Sequence, residues 1–200
     1  MAQNSNPLNM SRAYSPADTE GRIYKFWEES GYFKPDTSSN NPPFVMIMPP
    51  PNVTGELHMG HALTIAIEDM IVRWHRMKGE PTLYLPGTDH AGIATQVVVE
   101  RLLATEGLNR YQLGREKFEA RIWEWVETYG TRIYEQLRRL GTSCDWSRSK
   151  FTLDEIPRAA VRKTFVDLYE KGLIYRGERI ANWCPRCSTA LSDLEVKYKE

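Results

Sequence analysis

The 200-residue chain sets 26 basic against 26 acidic side chains, is 41% hydrophobic and carries 3 cysteines. Zero formal net charge rules out recruitment of a partner by bulk charge, the ordinary hydrophobic fraction rules out a disordered or fibrous chain, and so few cysteines argue against a disulfide scaffold. No apolar run approaches the ~18 residues of a membrane span, and the opening MAQNSNPLNMSR lacks an apolar signal core. A cytoplasmic protein without membrane contact is expected.

In chain order, Ser15-Pro16-Ala17-Asp18 reads as an N-cap followed by proline at the first helical position. A helix to about Ser30 should bury Ile23, Tyr24, Phe26 and Trp27 and end at Gly31. Residues 35–43 (PDTSSNNPP) are a loop by composition. Phe44-Val45-Met46-Ile47-Met48 is a short continuous apolar run, the pattern of a strand buried on both faces of a parallel sheet. From His61 to Met77 the period changes, and Leu63, Ile67, Met70, Trp74 and Met77 mark one helix face. Thr82-Leu83-Tyr84-Leu85 is a second short strand. Strand, helix and strand over about 40 residues form a βαβ unit with parallel strands, whose ligands sit beyond the carboxyl ends of the strands.

The remainder is mostly helical. Glu116 to Leu140 places Phe118, Ile122, Trp125, Tyr129, Ile133 and Leu137 on one face. Thr152 and Glu155 form a capping-box pattern opening a helix that ends near Gly172, and Leu173-Ile174-Tyr175 is strand-like. The last residues, EVKYKE, read as a strand cut short, so a fragment of a longer protein is expected. The fold class is α/β, a Rossmann-like parallel sheet with flanking helices. The expected organisation is an N-terminal helical extension (1–43), the first half of the sheet domain (44–172) and the start of an insertion bearing a C-x-x-C knuckle (173–200).

Two loops leave the carboxyl ends of the strands, and both are rich in chemistry. In PPPNVTGELHMGH, Pro49 and Pro50 form a stiff apolar rim. Asn52 and Thr54 supply polar groups, and His58 and His61 lie three apart at a helix start, neighbours on one face. Gly60 leaves room for a ligand against the backbone, and the helix terminus favours an anion. A phosphate-bearing nucleotide fits this arrangement; half of a metal site or two surface histidines fit the spacing alone. In PGTDHAGIATQ, Asp89 can pair with a ligand ammonium or cap a turn. Trp123, Trp125 and Trp146 can stack on nucleic acid or pack in the core. Arg132, Arg138, Arg139, Arg158, Arg162 and Lys163 can meet a nucleic-acid backbone or form a solvated helix face. Net charges of −4 for residues 1–100 and +4 for 101–200 carry the same ambiguity.

Taken together these motifs resemble the N-terminal part of the valyl-tRNA synthetases, a branch of the class I aminoacyl-tRNA synthetases. His58-Met59-Gly60-His61 matches the signature usually written HIGH. MPPPNVTG before it, LPGTDHAGIATQ after it, Asp145-Trp146-Ser147-Arg148, Asn182-Trp183-Cys184-Pro185-Arg186-Cys187 and LSDLEV are similar to the same branch. The resemblance implies ATP-dependent activation of L-valine to valyl-adenylate and transfer to tRNA(Val), by an enzyme monomeric in its full-length form. It implies catalytic His58 and His61, ATP contacts from Thr54, His58, Gly60 and His61, and amino-acid contacts from Pro49, Pro50, Asn52 and Asp89. Magnesium is expected with ATP. Cys184 and Cys187 are half of a zinc site, which takes four ligands. The lysine loop, editing domain and anticodon-binding domain of the family do not occur within these 200 residues. A nucleotide- or tRNA-binding module without catalysis is the second reading, and a lysine loop in the gene beyond Glu200 would separate the two.

Overall fold

The computed structural model describes residues 13–197 and 199, so the opening twelve residues and part of the terminal EVKYKE strand expectation lie outside the described residues. The chain divides into two compact units, Met1–Arg158 and Ala159–Glu200. The first unit carries α1 (Pro16–Glu29), β1 (Phe44–Ile47), α2 (Met59–Met77), β2 (Thr82–Leu85), β3 (Gly87–Thr88), α3 (Gly92–Thr105), α4 (Arg110–Leu113), α5 (Arg115–Arg139) and β4 (Lys150–Phe151). Helix α6 (Glu155–Glu170) begins there and runs into the second unit, which adds β5 (Trp183–Cys184) and β6 (Thr189–Ala190).

The βαβ reading of residues 44–85 holds. β1 and β2 pair in parallel with Phe44 opposite Thr82 and Ile47 opposite Leu85, and α2 connects them. A second parallel pair joins β3 to β4, Gly87 opposite Lys150. The class is therefore α/β with short parallel ladders. Each ladder among the described residues has two strands. Met48, Val53, Ile65, Val72, Tyr84, Ile133, Leu137 and Cys144 form the main core, and Val99, Leu103 and Phe118 a smaller one.

Burial departs from the sequence reading in instructive places. Strand β1 alternates, with Val45 57% and Ile47 67% exposed: a two-stranded ladder with a helix on one side covers one face only. The apolar stripe of α2 is also turned outward, Leu63, Ile67, Met70, Trp74 and Met77 all being exposed. The side facing the core is Ile65, Asp69 and Val72. A charged residue on the inner face hides it from a hydrophobicity pattern. Asp69 is tolerated there because it is satisfied: Arg73 Nε donates to it at 2.6 Å, and the backbone N–H and hydroxyl of Ser143 donate to Oδ1. Arg76, two turns on from Asp69, donates to the carbonyls of Ser143 and Phe33. Phe26 is exposed as well, against the expectation for α1, whose one buried side chain is Tyr24. No strand forms at Leu173–Tyr175, where Leu173 and Tyr175 are exposed and no ladder partner is present among the described residues.

The segment Thr142–Asp145 is wholly buried between these elements. Tyr24 donates to the Thr142 carbonyl (2.7 Å), Trp146 Nε1–H donates to the Tyr24 hydroxyl (2.7 Å), and Asp145 N–H donates to the Tyr84 carbonyl (3.0 Å). This settles two of the tryptophans as packing residues. Trp146 lies against the main core and Trp125 against the smaller one, while Trp123 is 43% exposed. Of the basic residues, Arg132 pairs with Glu56, Arg138 with Glu28 and Lys163 with Asp167.

Gly87 sits where β3 meets β4, and a Cβ there would lie 2.8 Å from the Lys150 carbonyl oxygen. Backbone cannot move aside as a side-chain tip can. Gly87→Ala should therefore destabilise the protein by about 1–3 kcal/mol, read as a lowered denaturant midpoint with an unchanged slope.

Candidate functional site

The loop after β1 is pinned by α5. Trp125 Nε1–H donates to the Val53 carbonyl (2.9 Å), the Gln136 side-chain oxygen accepts from Leu57 N–H (2.9 Å), and Arg132 pairs with Glu56. Pro51 and Val53 are buried, so the loop has an anchored floor, while Pro49, Pro50 and Asn52 face outward from it. The loop after β2 is joined to the first by two backbone bonds: Asp89 N–H donates to the Pro51 carbonyl at 2.8 Å, and Val53 N–H donates to the Asp89 carbonyl at 2.9 Å. These make a parallel bridge of Asn52 with Asp89, so the structure brings together two residues that sequence spacing leaves apart.

His58 is the N-cap of α2. Its Nδ1 accepts from Gly60 N–H (3.1 Å), while His61 Nδ1 accepts from His58 N–H (3.2 Å), a reciprocal capping box. Each Nδ1 is thus occupied as an acceptor, and the proton of each neutral ring sits on Nε2. The rings lie 3.9 Å apart. Burial, and to a smaller extent the neighbouring His58, hold the His61 imidazole below its usual value of 6.5. The first turn of α2 contains no acidic residue, which leaves the positive helix end unneutralised. In their neutral forms the two rings present Nε2–H donors at a helix terminus that favours anions. Gly60 is required for this: a Cβ would come 2.9 Å from His58 Cε1.

On the other side of the clasp, the Asp89 carboxylate accepts from the Thr152 hydroxyl (2.9 Å) and lies 3.2 Å from His90 Nδ1. Ala91 follows at φ 41°, a strained left-handed conformation for alanine, and turns the chain into α3. A cavity of about 440 Å³ lies beside His90, lined also by Trp123 and Phe151. A wider groove, about 1920 Å³, runs between α1 and α2 and includes none of the residues expected to contact ATP or the amino acid. The fourth histidine, His75, stacks on Phe44 at 3.5 Å and pairs with Glu80, a structural role.

Thr152, Trp125 and Gln136 went unread as site supports. Thr152 looked like a helix cap, but its hydroxyl is taken by Asp89 and His90. No local signal marks any of the three, because each acts across 60 or more residues of chain.

In the second unit, β5 and β6 form a hairpin with Cys184 at the end of β5 and Cys187 in the turn. Among the described residues no group of three or more His, Cys, Asp or Glu comes together to hold a metal. Two thiols do not fit a complete zinc site, and no carboxylate cage fits magnesium. The Cys187 backbone N–H lowers the Cys184 thiol below its usual value, whereas burial pushes Cys144 far up. Iodoacetamide should therefore modify Cys184 well before Cys144, read by peptide mass spectrometry; faster labelling of Cys144 would contradict this packing.

The model for tRNA synthetases class I (I, L, M and V) matches residues 22–200, and the chain belongs to that family. Among curated proteins it is similar to the valine--tRNA ligases of Dehalococcoides mccartyi, at 62% identity over the whole chain and 23% of the relative. It is similar also to that of Bdellovibrio bacteriovorus, at 60% over 96% of the chain and 21% of the relative, and to the chloroplastic/mitochondrial valine--tRNA ligase 2 of Arabidopsis thaliana, at 59% over 91% and 19%. The chain thus spans about a fifth of the length of these relatives. Among solved structures, the LeuRS chain of a ternary LeuRS–tRNA–LeuAMS complex from Agrobacterium radiobacter superposes with a TM-score of 0.75 at 23% identity, over 92% of this chain and 22% of that one. That likeness shows the fold.

The histidine pair has a direct readout. An NMR titration of the His61 ring should give a midpoint below 6.5, and His58→Ala should move it upward, since the neighbouring ring is one of the two causes that depress it. A midpoint at or above the free-imidazole value would contradict the partial burial of the His61 ring.

Proposed function

We propose that this chain supplies the first half of a Rossmann-like catalytic domain that activates L-valine with ATP and delivers valyl groups to tRNA(Val) in the cytoplasm. The observation that carries the reading is the histidine pair, two Nδ1-anchored rings offering Nε2–H donors at an unneutralised helix N-terminus. The 62% identity to a valine--tRNA ligase supports the choice of amino acid.

In this reading a valine carboxylate oxygen attacks the α-phosphorus of ATP. The bond to the departing pyrophosphate breaks, leaving valyl-adenylate. No covalent enzyme intermediate is needed, so the protein acts by positioning and by donors placed where charge builds. His58 and His61 donate to phosphate oxygens. Thr54 and Gly60 contact the nucleotide, Gly60 presenting bare backbone. Asp89 takes the valine ammonium, Asn52 across the clasp orients the amino acid, and Pro49 and Pro50 wall its side chain. An apolar wall excludes isoleucine by size and rejects isosteric threonine weakly. Magnesium would arrive with the nucleotide, because the described residues do not fit a protein cage for it.

The test is amino-acid-dependent ATP–pyrophosphate exchange by the full-length protein. Exchange should fall in the order valine, threonine, isoleucine. His61→Ala should lower the exchange rate by about 100-fold with little change in valine binding, and Asp89→Ala should raise the valine requirement far more than that for ATP. An unchanged rate in the His61 variant would remove the assigned role.

A further inference from the structure

We infer that Thr152 is a positioning residue for amino-acid recognition, acting through Asp89 and setting the tautomer of His90. The inference rests on the proposed reading of Asp89 as the ammonium site. It follows from the proton count around one oxygen. Thr152 Oγ1 donates to Asp89 Oδ1 at 2.9 Å, accepts from His90 backbone N–H at 2.9 Å, and lies 2.6 Å from His90 Nδ1. A hydroxyl has one proton and two acceptor sites. With its proton committed to the carboxylate, the contact with the ring requires hydrogen on Nδ1. The same hydrogen lies 3.2 Å from Asp89 Oδ1 at its nitrogen, where a bare lone pair would face a carboxylate oxygen. Hydrogen on Nδ1 satisfies every contact at once, and the opposite tautomer leaves lone pairs opposed.

The backbone explains why Thr152 can do this. It leaves β4 directly, and its own N–H donates to the Thr88 carbonyl at 3.1 Å. Asp89 is held from the opposite side by Pro51 and Val53. Residues 51–53, 87–89 and 150–152 thus run side by side with Asp89 in the middle, its backbone fixed by one neighbour and its carboxylate by the other. The charge-assisted bond from Thr152 holds Oδ1 in place and leaves Oδ2 for a ligand cation.

Valine-dependent exchange by the full-length protein tests this. Thr152→Val, which keeps the shape and deletes the hydroxyl, should raise the KM for valine about 10-fold and that for ATP less than about 2-fold. Thr152→Ser should restore the valine KM. In an Asp89→Ala background, Thr152→Val should change the valine KM by less than about 2-fold, because the residue it works through is gone. Nitrogen-15 NMR of the wild type should show the neutral His90 ring protonated at Nδ1. Full additivity of the two substitutions, equal rises in both KM values without rescue by serine, or a His90 ring protonated at Nε2 would each overturn the inference. If Asp89→Ala raises the valine KM and Thr152→Val does not, the role of Thr152 alone falls. If Asp89→Ala has no effect, the ammonium-site reading falls and the inference falls with it.

Discussion

Two backbone hydrogen bonds, from Asp89 N–H to Pro51 and from Val53 N–H to Asp89, hold the rest of the site in place. They join the loop that follows β1 to the loop that follows β2. They carry the β1–β2 pairing on beyond the strand ends, so that the histidine pair and the carboxylate sit on joined segments. Backbone bonds suit this task because they add no side-chain freedom to be lost, and because buried Val53 shields one of them from competing water.

The clasp in turn depends on a polar framework deeper in the molecule. Helix α2, which presents the histidines, is held at its middle by Asp69 and in its last turn by Arg76 against the buried Thr142–Asp145 segment. That segment is bonded to β2 through Asp145 and Tyr84. The strand that carries the second loop and the helix that ends the first are therefore tied to one short piece of chain. Removing one partner of such a network leaves a buried charge without compensation, so the framework is rigid in the way a positioning site needs.

The electrostatics of the site follow from geometry more than from charge. His58 and His61 gain their donor character because backbone N–H groups occupy both Nδ1 atoms. Partial burial of His61 favours its neutral form. The helix terminus that carries the two histidines has no acidic residue in its first turn, so its positive end is left unneutralised. Asp89, by contrast, stays partly open at 34% side-chain exposure.

Local chemistry was readable from the order of residues. The strand–helix–strand unit, the helix start at His58 and the pairing of both loops with strand ends follow from period, proline and glycine, all properties of neighbours in the chain. The motifs themselves were sufficient to indicate the family. Tertiary structure decided which faces are buried. The most apolar stripe of α2 points outward and a charged one points in, because Asp69 finds three donors that lie more than 70 residues away or one turn on. It also decided what Thr152 does, since the same hydroxyl that matches a helix cap locally is claimed by a carboxylate 63 residues earlier. Period and composition record what a residue can do with its neighbours along the chain; which competing partner wins is settled only when distant segments meet.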